Sequence, residues 1–284
     1  MLRTDSMNKI DFERDGIVWP IRGLPADESA TLETRYLEFQ TEATRIRGRQ
    51  THIKPHLIST WLDDIAHNPI ILDAVETALG PNLLLWETDF SIKASGSGSW
   101  IPWHQDTPYW NLSSHDVVSV WLAITPATRA NGAMQVIPGT HRMGSLGTID
   151  FEGDPHAGYR IGHRTASPGN PFAYDHVMNE PIDKSKVADI ELQPGEFSIH
   201  HVQLVHGGSP NGSDHDRVGF VMRYISADTY CRSGRDSAML VRGEYGGGHF
   251  ELEPRPLSDF APVAMQAMAH ALTFPSGFGD RLLK

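Results

Sequence analysis

The second half of the chain consists largely of short apolar segments that end at turn residues. The clearest of them, VVSVWLAIT (117–125), is an almost continuous run of β-branched and apolar residues, which is typical of a buried strand. Pro138-Gly139 and Pro194-Gly195 are turn pairs that follow two further segments of this kind. Short strands separated in this way predict an all-β barrel or sandwich. The remaining predicted strands cover residues 83–93, 133–137, 188–193, 196–202 and 218–225.

Helical patterns precede these strands. Residues 25–50 carry Leu32, Tyr36 and Phe39 at helical spacing, which predicts an amphipathic helix. Two shorter helices are predicted at 56–67 and 69–79. Helices first and strands later predict a helical layer packed on an all-β core. We predict a single domain over 1–284, with helical support over about 1–80, the β core over about 81–228 and a C-terminal loop and helix over about 229–284.

Two long segments lack a periodic pattern. Residues 142–187 are rich in Gly, Pro, His and Asp, a composition that fits either a lid over a binding site or a poorly ordered insertion. Residues 229–256, which include three consecutive glycines, are predicted as a second loop region. Both alternatives stay open for the first segment, and closure of either segment over a site is an open question.

Composition excludes several classes of protein. Lys and Arg number 24 and Asp and Glu number 35, so the formal net charge of -11 disfavours a nucleic-acid or anionic-membrane partner. Cys231 is the single cysteine, which rules out an intramolecular disulfide. No apolar run approaches the ~20 residues of a membrane-spanning helix, and the N-terminus lacks the apolar core of a signal peptide. We expect a cytoplasmic monomer or homodimer that binds a small molecule.

The chain has 15 histidines, and histidine is the commonest metal ligand. His104 and Asp106 are two residues apart, so in a strand their side chains would point to the same side. His206, between a predicted strand and a Gly-rich turn, is the best candidate for a third ligand. Two histidines and one carboxylate form the facial triad of non-haem Fe(II) oxygenases, which leaves positions open for a co-substrate and O₂. We predict these three residues as the metal and catalytic site.

Arg217 lies eleven residues after His206, at the start of a predicted strand. A guanidinium binds a carboxylate through two parallel hydrogen bonds. A dicarboxylate such as 2-oxoglutarate could therefore chelate iron at one end and meet Arg217 at the other. Lys93 and Ser91 are polar residues of a predicted strand, and we expect them to join this co-substrate pocket.

Four segments together resemble the phytanoyl-CoA dioxygenase family of Fe(II)/2-oxoglutarate-dependent oxygenases, in its small-molecule hydroxylase branch. The resemblance spans roughly residues 80–225 and implies a double-stranded β-helix, a cupin-like jelly roll with helices packed outside. It implies iron at His104, Asp106 and His206, and 2-oxoglutarate held by Arg217. The segments are WHQD (103–106), VSVWLAIT (118–125), NGAMQVIPGTHR (131–142) and HHVQLVHGGSPN (200–211) followed by Arg217.

Two positions of the motifs qualify what the resemblance implies. Gly208 stands where many members of the family carry serine, so Ser209 is the alternative source of a hydroxyl contact to the co-substrate. The halogenating branch of the family has a small residue in place of the acidic ligand. Because Asp106 is present, hydroxylation or another hydrogen-abstraction outcome is favoured over halogenation.

The residues around the metal motif supply the candidates for substrate contacts, which are Gln105, Tyr109, Trp110 and His201. The two adjacent aromatic residues could stack on a ring or surround an ammonium group, and ordinary packing is an equal alternative. We expect His201 rather than His200 to face the cavity as a hydrogen-bond partner of the substrate, because His200, Gln203 and Val205 cannot all share the face of His206 in an ideal strand.

We expect the chain to hydroxylate a C–H bond of a small metabolite, with release of succinate and CO₂. The expected substrates are amino or quaternary-ammonium compounds, including aminoalkyl phosphonates, or natural-product intermediates. Two alternatives remain at this point. One is a non-catalytic jelly roll that binds a metal or ligand, and the other is a metal-dependent dioxygenase or isomerase that does not use 2-oxoglutarate.

Overall fold

The computed structural model describes residues 7–144 and 183–274, apart from the side chains of Pro108, Tyr109 and Lys184. Strands make up most of its core. They are β1 (Ile17–Arg22), β2 (Leu83–Lys93), β3 (Ile101–His104), β4 (Val117–Ala123), β5 (Met134–Val136), β6 (Ala188–Ile190), β7 (Glu196–His201), β8 (His206–Gly208), β9 (Arg217–Ser226), β10 (Asp236–Arg242) and β11 (Phe250–Leu252).

Helices surround the strands. They are α1 (Lys9–Asp15), α2 (Ala26–Ser29), α3 (Leu32–Arg47), α4 (Thr60–Ala66), α5 (Pro69–Leu79), α6 (Thr107–Trp110) and α7 (Pro262–Ala271). The sequence explains several of their ends. The Asn68 side chain caps the first turn of α5, Pro69 occupies its first position, and Gly48 ends α3 in the left-handed conformation.

The strands form two sheets. The larger sheet has the order β1-β7-β4-β9-β2-β10-β11, and the smaller sheet has the order β3-β8-β5-β6. The pairs are antiparallel except for β10 with β11. Sequence neighbours are seldom sheet neighbours in this arrangement, which is the order of a jelly roll and confirms the predicted all-β core with flanking helices.

The larger sheet is buried on both faces. Its outer face, with Leu122 and Phe220, packs against the helices in one apolar cluster. Its inner face turns Trp121 and Val221 towards the smaller sheet, where they share a second cluster with Val136. Burial on both sides explains why β4 appears in the sequence as a continuous apolar run rather than an alternating one.

The barrel extends beyond the predicted core of 81–228. β1 joins the edge of the larger sheet beside β7, and β10 pairs with β2 on the other side. Residues 229–256 were predicted as loop, and they contain β10 and β11 instead. The apolar run of β10 is short and lies between polar and Gly-rich turns, so its strand signal was weak. Sheet pairing with the long strand β2 supplied the stabilisation that local sequence did not show.

Two further expectations need comment. The helix predicted over 25–50 is divided into α2 and α3. Most of the segment 142–187 lies outside the described residues, so neither a lid nor an insertion is tested there. Where the chain is described, no helix combines the length and the apolar character needed to cross a membrane.

A matched pair of substitutions tests the outer-face packing. Leu122 on β4 is fully buried, whereas Leu37 on α3 is 56% exposed. Leu122→Ala is expected to lower the free energy of unfolding by about 2–5 kcal/mol because it leaves a cavity. Leu37→Ala is expected to change it by no more than about 0.5 kcal/mol. Urea unfolding followed by tryptophan fluorescence measures both, and equal losses would contradict the assigned packing.

Candidate metal centre

His104 and His206 come together through the pairing of β3 with β8. His104 is the last residue of β3, His206 is the first residue of β8, and the two are register partners in the smaller sheet. Their ring centroids are 4.1 Å apart. Asp106 follows β3 directly, and its backbone N–H donates to the carbonyl of Val202, 3.1 Å away. This bond holds the carboxylate beside both imidazoles.

The three side chains present their ligand atoms to one point. Asp106 Oδ1 lies 3.5 Å from His104 Nε2 and 3.8 Å from His206 Nε2. One ligand atom from each residue lies within 4.8 Å of the other two, and all three residues are buried. Among the described residues this is the group of His, Cys, Asp and Glu side chains that could hold a metal ion.

Hydrogen bonds orient both imidazoles. His104 Nδ1 is 2.8 Å from the Pro102 carbonyl, and His206 Nδ1 is 3.0 Å from the Leu204 carbonyl. A carbonyl only accepts, so Nδ1 carries the proton in each ring and Nε2 keeps its lone pair. Two Nε2 lone pairs and one carboxylate oxygen are a donor set that fits Fe(II).

Electrostatics favours the protonation states that bind a metal. Burial alone would raise the pKa of Asp106, but the neighbouring His206 and His104 and the Arg223 charge hold that pKa well below its ordinary value. Burial, together with the proximity of His104, lowers the pKa of His206 to about 4. The carboxylate is therefore charged and the His206 imidazole neutral.

The residues predicted to hold the co-substrate also come together. Arg217 and Lys93 are register partners on β9 and β2. Arg217 Nη2 donates to Ser91 Oγ at 3.1 Å, and its guanidinium carbon lies 5.1 Å from the centre of the Trp121 ring. Lys93 Nζ donates to the backbone carbonyls of Gly132 at 3.0 Å and Ser209 at 2.6 Å.

Neither of these two cations forms an ion pair with an acidic side chain of the described residues. Burial lowers the pKa of Arg217 to about 10, and burial together with the nearby Arg217 charge lowers the pKa of Lys93 to about 7. Arg217 Nε is buried without a hydrogen-bond partner. Two neighbouring buried cations and a partnerless donor are what a site for a carboxylate requires.

The glycine at position 208 has a structural explanation. A Cβ atom at Gly208 would lie 2.6 Å from Lys93 Nζ, so glycine leaves room for the lysine amine. The Ser209 hydroxyl donates to Gln135 Oε1 at 3.3 Å, and the Ser209 carbonyl accepts from Lys93. The Lys93 amine thus lies where a serine side chain at 208 would begin.

Gln105 and Trp110, both predicted to contact the substrate, contact other groups of the protein in this structure. The Gln105 amide donates to the backbone carbonyls of Gly144 at 2.9 Å and Gln203 at 2.7 Å. Trp110 is buried, packs edge-on against Trp86 with ring centroids 5.7 Å apart, and has the Arg223 guanidinium over its ring. The side chain of Tyr109 lies outside the described part of the chain.

The structure places His200, and not His201, beside the metal site. The His200 ring centroid is 5.3 Å from that of His206. His201 lies on the other side of the sheet, 5.4 Å from the His141 ring, and its Nδ1 accepts from the backbone of Gln203. The expectation for His201 is wrong because residues an even number of positions apart share a face of a strand, and His200 is six positions from His206 whereas His201 is five.

Sequence reasoning also missed polar residues that line the barrel near the metal site. Ser119 faces inward from the middle of β4, where the surrounding apolar run gave no sign of a site. Asp89 lies 2.9 Å from Arg223 as an ion pair inside the barrel. For Asp89 the signal was present, because alternate residues of β2 are polar. That pattern indicates a polar face, and here the polar face is the inner one.

A buried centre of two imidazoles and one carboxylate in a jelly roll defines the class of non-haem iron oxygenases. The family model described as "Phytanoyl-CoA dioxygenase (PhyH)" matches residues 12–219, and the chain belongs to this family.

Relatives and solved structures agree with that assignment. A probable alpha-ketoglutarate-dependent hypophosphite dioxygenase of Stutzerimonas stutzeri is 25% identical over 251 residues, covering 86% of this chain and 77% of the relative. The non-heme monooxygenase ThoJ, in its apo structure, is 31% identical with a TM-score of 0.78, covering 93% of this chain and 94% of ThoJ. CytC3 with Fe(II) and alpha-ketoglutarate shares the fold at 19% identity and a TM-score of 0.63, covering 90% of this chain and 97% of CytC3. The chain is an Fe(II)- and 2-oxoglutarate-dependent dioxygenase, which confirms the predicted enzyme class and cofactors.

The lowered pKa of Lys93 makes a prediction about stability. The pKa of Lys93 is about 7 in the folded protein, and its unperturbed value, taken for the unfolded chain, is 10.5. Between these two values the unfolded chain binds a proton that the folded chain does not. Stability conferred by this group therefore rises with pH across that window. We expect the free energy of unfolding of the metal-free protein to rise from pH 7 to pH 9 relative to that of its Lys93→Met variant, by at most about 1.4 kcal/mol per pH unit. Urea unfolding at each pH measures the difference, and a constant difference would contradict the assignment.

Proposed function

We propose that this enzyme hydroxylates a C–H bond of a small metabolite and converts 2-oxoglutarate to succinate and CO₂. The observation that carries the proposal is the joint arrangement of two groups in the barrel. One is the His104, Asp106 and His206 donor set, and the other is the buried cation pair of Arg217 and Lys93. A ligand with two carboxylates is the kind of molecule that satisfies both groups.

In this proposal His104, Asp106 and His206 hold Fe(II). When bound, the iron with 2-oxoglutarate supplies O₂ activation and hydrogen abstraction from the substrate C–H bond. The Asp106 carboxylate offsets part of the metal charge and occupies the position that the halogenating branch leaves open, which supports hydroxylation as the outcome.

Arg217, Lys93 and Ser91 bind the distal carboxylate of 2-oxoglutarate. Trp121 supports this end of the pocket, because its indole packs against Gly219 so closely that a Cβ there would lie 2.1 Å from the ring. The same indole lies against the Arg217 guanidinium. The aromatic wall fixes the direction of the guanidinium and keeps water from it.

The proposed substrates are small polar metabolites, namely amino or quaternary-ammonium compounds, aminoalkyl phosphonates, or natural-product intermediates. Polar side chains on the inner face of the barrel, including Asp89, Ser119 and His200, support this range. The relative from Stutzerimonas stutzeri, whose name gives hypophosphite as its probable substrate, supports a small oxyanion within this range.

The metal assignment is tested with single variants. His104→Ala and Asp106→Ala are expected to remove most binding of Ni(II), used as a redox-inert probe, because each deletes one of three ligands. Calorimetric titration measures the binding. Both variants are also expected to lose iron-dependent succinate formation. Unchanged metal affinity in both, with intact folding by circular dichroism, would overturn the assignment.

The co-substrate assignment predicts a separate effect for Arg217→Gln. Loss of the bidentate contact is expected to weaken 2-oxoglutarate binding by about tenfold or more while metal binding stays unchanged. Arg129→Gln is the matched control, since Arg129 lies on the surface. Succinate formation as a function of 2-oxoglutarate concentration gives the KM of each variant. If the iron-loaded wild type forms no succinate with any member of a broad metabolite panel, the proposed function is withdrawn.

A further inference from the structure

Four strands of the larger sheet each place one polar residue at the same height on its inner face. Glu87 on β2 pairs with Arg223 on β9, Arg223 pairs with Ser119 on β4, and Ser119 pairs with His200 on β7. Residues paired directly across strands lie roughly 5 Å apart, so the four form one line across the sheet. We refer to them as the polar row.

The polar row borders the metal centre and lies away from the co-substrate residues. His200 is in ring contact with His206 at 5.3 Å, and Ser119 and Arg223 follow His200 across the sheet by register. Arg217, on the same face of β9, lies six residues from Arg223, which corresponds to about 20 Å along a strand. The row and the distal carboxylate site are thus separate places in one barrel.

Three members of the polar row have a buried atom without a hydrogen-bond partner, and one of these atoms, Glu87 Oε1, faces the Lys54 amine. Ser119 Oγ and His200 Nδ1 form no hydrogen bond, and the residues are only 1% and 3% exposed. A histidine ring carries at least one N–H donor. Leaving such groups unpaired costs stability, which points to a ligand that the site is built to receive.

Arg223 adds a fixed positive charge to these two groups. Its Nη1 donates to Asp89 Oδ2 at 2.9 Å, and its guanidinium carbon lies 5.3 Å from the centre of the Trp110 ring. A carboxylate on one side and an indole on the other hold the guanidinium in one orientation, which lowers the entropy lost when it binds an anion.

The remaining member, Glu87, is directed to another partner. Its carboxylate lies 4.0 Å from the buried Lys54 amine, which also binds Glu253 at 2.5 Å. Lys54 therefore offsets the Glu87 charge at this end of the row. The part of the row nearest the metal consists of the guanidinium, a hydroxyl and an imidazole, all of which can donate hydrogen bonds.

We propose that Arg223, Ser119 and His200 form the subsite for an anionic, oxygen-rich group of the substrate, a carboxylate or a phosphonate. Their donors bind its oxygens and thereby hold the neighbouring carbon of the substrate at the metal. The inference rests on the proposed function and narrows its substrate class. Amino acids and aminoalkyl phosphonates carry the required group, whereas a quaternary ammonium compound without an anionic group does not.

A pair of probes tests the proposal on the full chain. Methylphosphonate is anionic, and dimethyl methylphosphonate has the same methyl group without charge. The protein is loaded with Mn(II) and saturated with 2-oxoglutarate without oxygen, and paramagnetic relaxation of the probe methyl protons reports binding near the metal. We expect the anionic probe to bind about tenfold or more tightly than the neutral ester.

Variants then locate the binding. The double variant Arg223→Gln/Asp89→Asn removes both charges of the ion pair and leaves the net charge of the barrel unchanged. It and His200→Gln are each expected to weaken binding of methylphosphonate by about tenfold. His201→Gln is the matched control, because this neighbouring histidine lies on the other side of the sheet, and it is expected to bind the probe as the wild type does.

Three results would overturn the subsite. In the first, the neutral ester binds with the same affinity as the anion. In the second, methylphosphonate binds to the double variant with the same affinity as to the wild type, which would place the anion on the metal alone. The variants could also weaken 2-oxoglutarate as strongly as the probe, which would assign the row to the co-substrate. Binding of 2-oxoglutarate to the wild type is titrated separately, and its absence would overturn the proposed function itself.

Discussion

The pairing of β3 with β8 is the contact on which the metal centre depends. These strands are four and three residues long, yet they bring His104 and His206 into register from distant parts of the chain. In each histidine the backbone carbonyl two residues earlier takes the Nδ1 proton, so the strand that positions the ring also sets its tautomer. Position and protonation therefore come from one local geometry. The larger sheet lies opposite this pair in the barrel.

The two faces of the larger sheet differ in polarity. Its outer face is apolar and covered by helices, while its inner face combines apolar residues such as Trp121 and Val221 with charged and polar ones. Burying Arg217, Arg223, Lys93 and His200 costs free energy that neutral core residues would not. A protein keeps such residues where ligands complete their hydrogen bonds and charges. The helical layer is what makes this possible, because it gives the sheet a dry apolar face on the opposite side.

Sequence reasoning succeeded where the signal was local and failed where it was not. The triad and Arg217 were predicted from residue type and spacing, and the structure gathers the first three into one cluster. His200 was missed although alternation favours it, since it lies an even number of positions before His206 and His201 an odd number. β10 was missed because its stability comes from pairing with β2, a contact that no short window of sequence contains. Cross-strand rows such as the one through Ser119 depend on register, which patterning alone does not give.

The buried contact between Lys54 and Glu253 has a consequence for where this domain ends. The lysine is wholly enclosed, and its counter-charge comes from a residue just beyond β11, nearly two hundred positions later in the chain. Cutting the polypeptide at residue 219 within β9, where the family match stops, would remove Glu253 and leave the buried Lys54 ammonium with too little negative charge to balance it. The region beyond the matched segment is thus a structural part of the barrel, and Glu253 in this region stabilises the segment around Lys54.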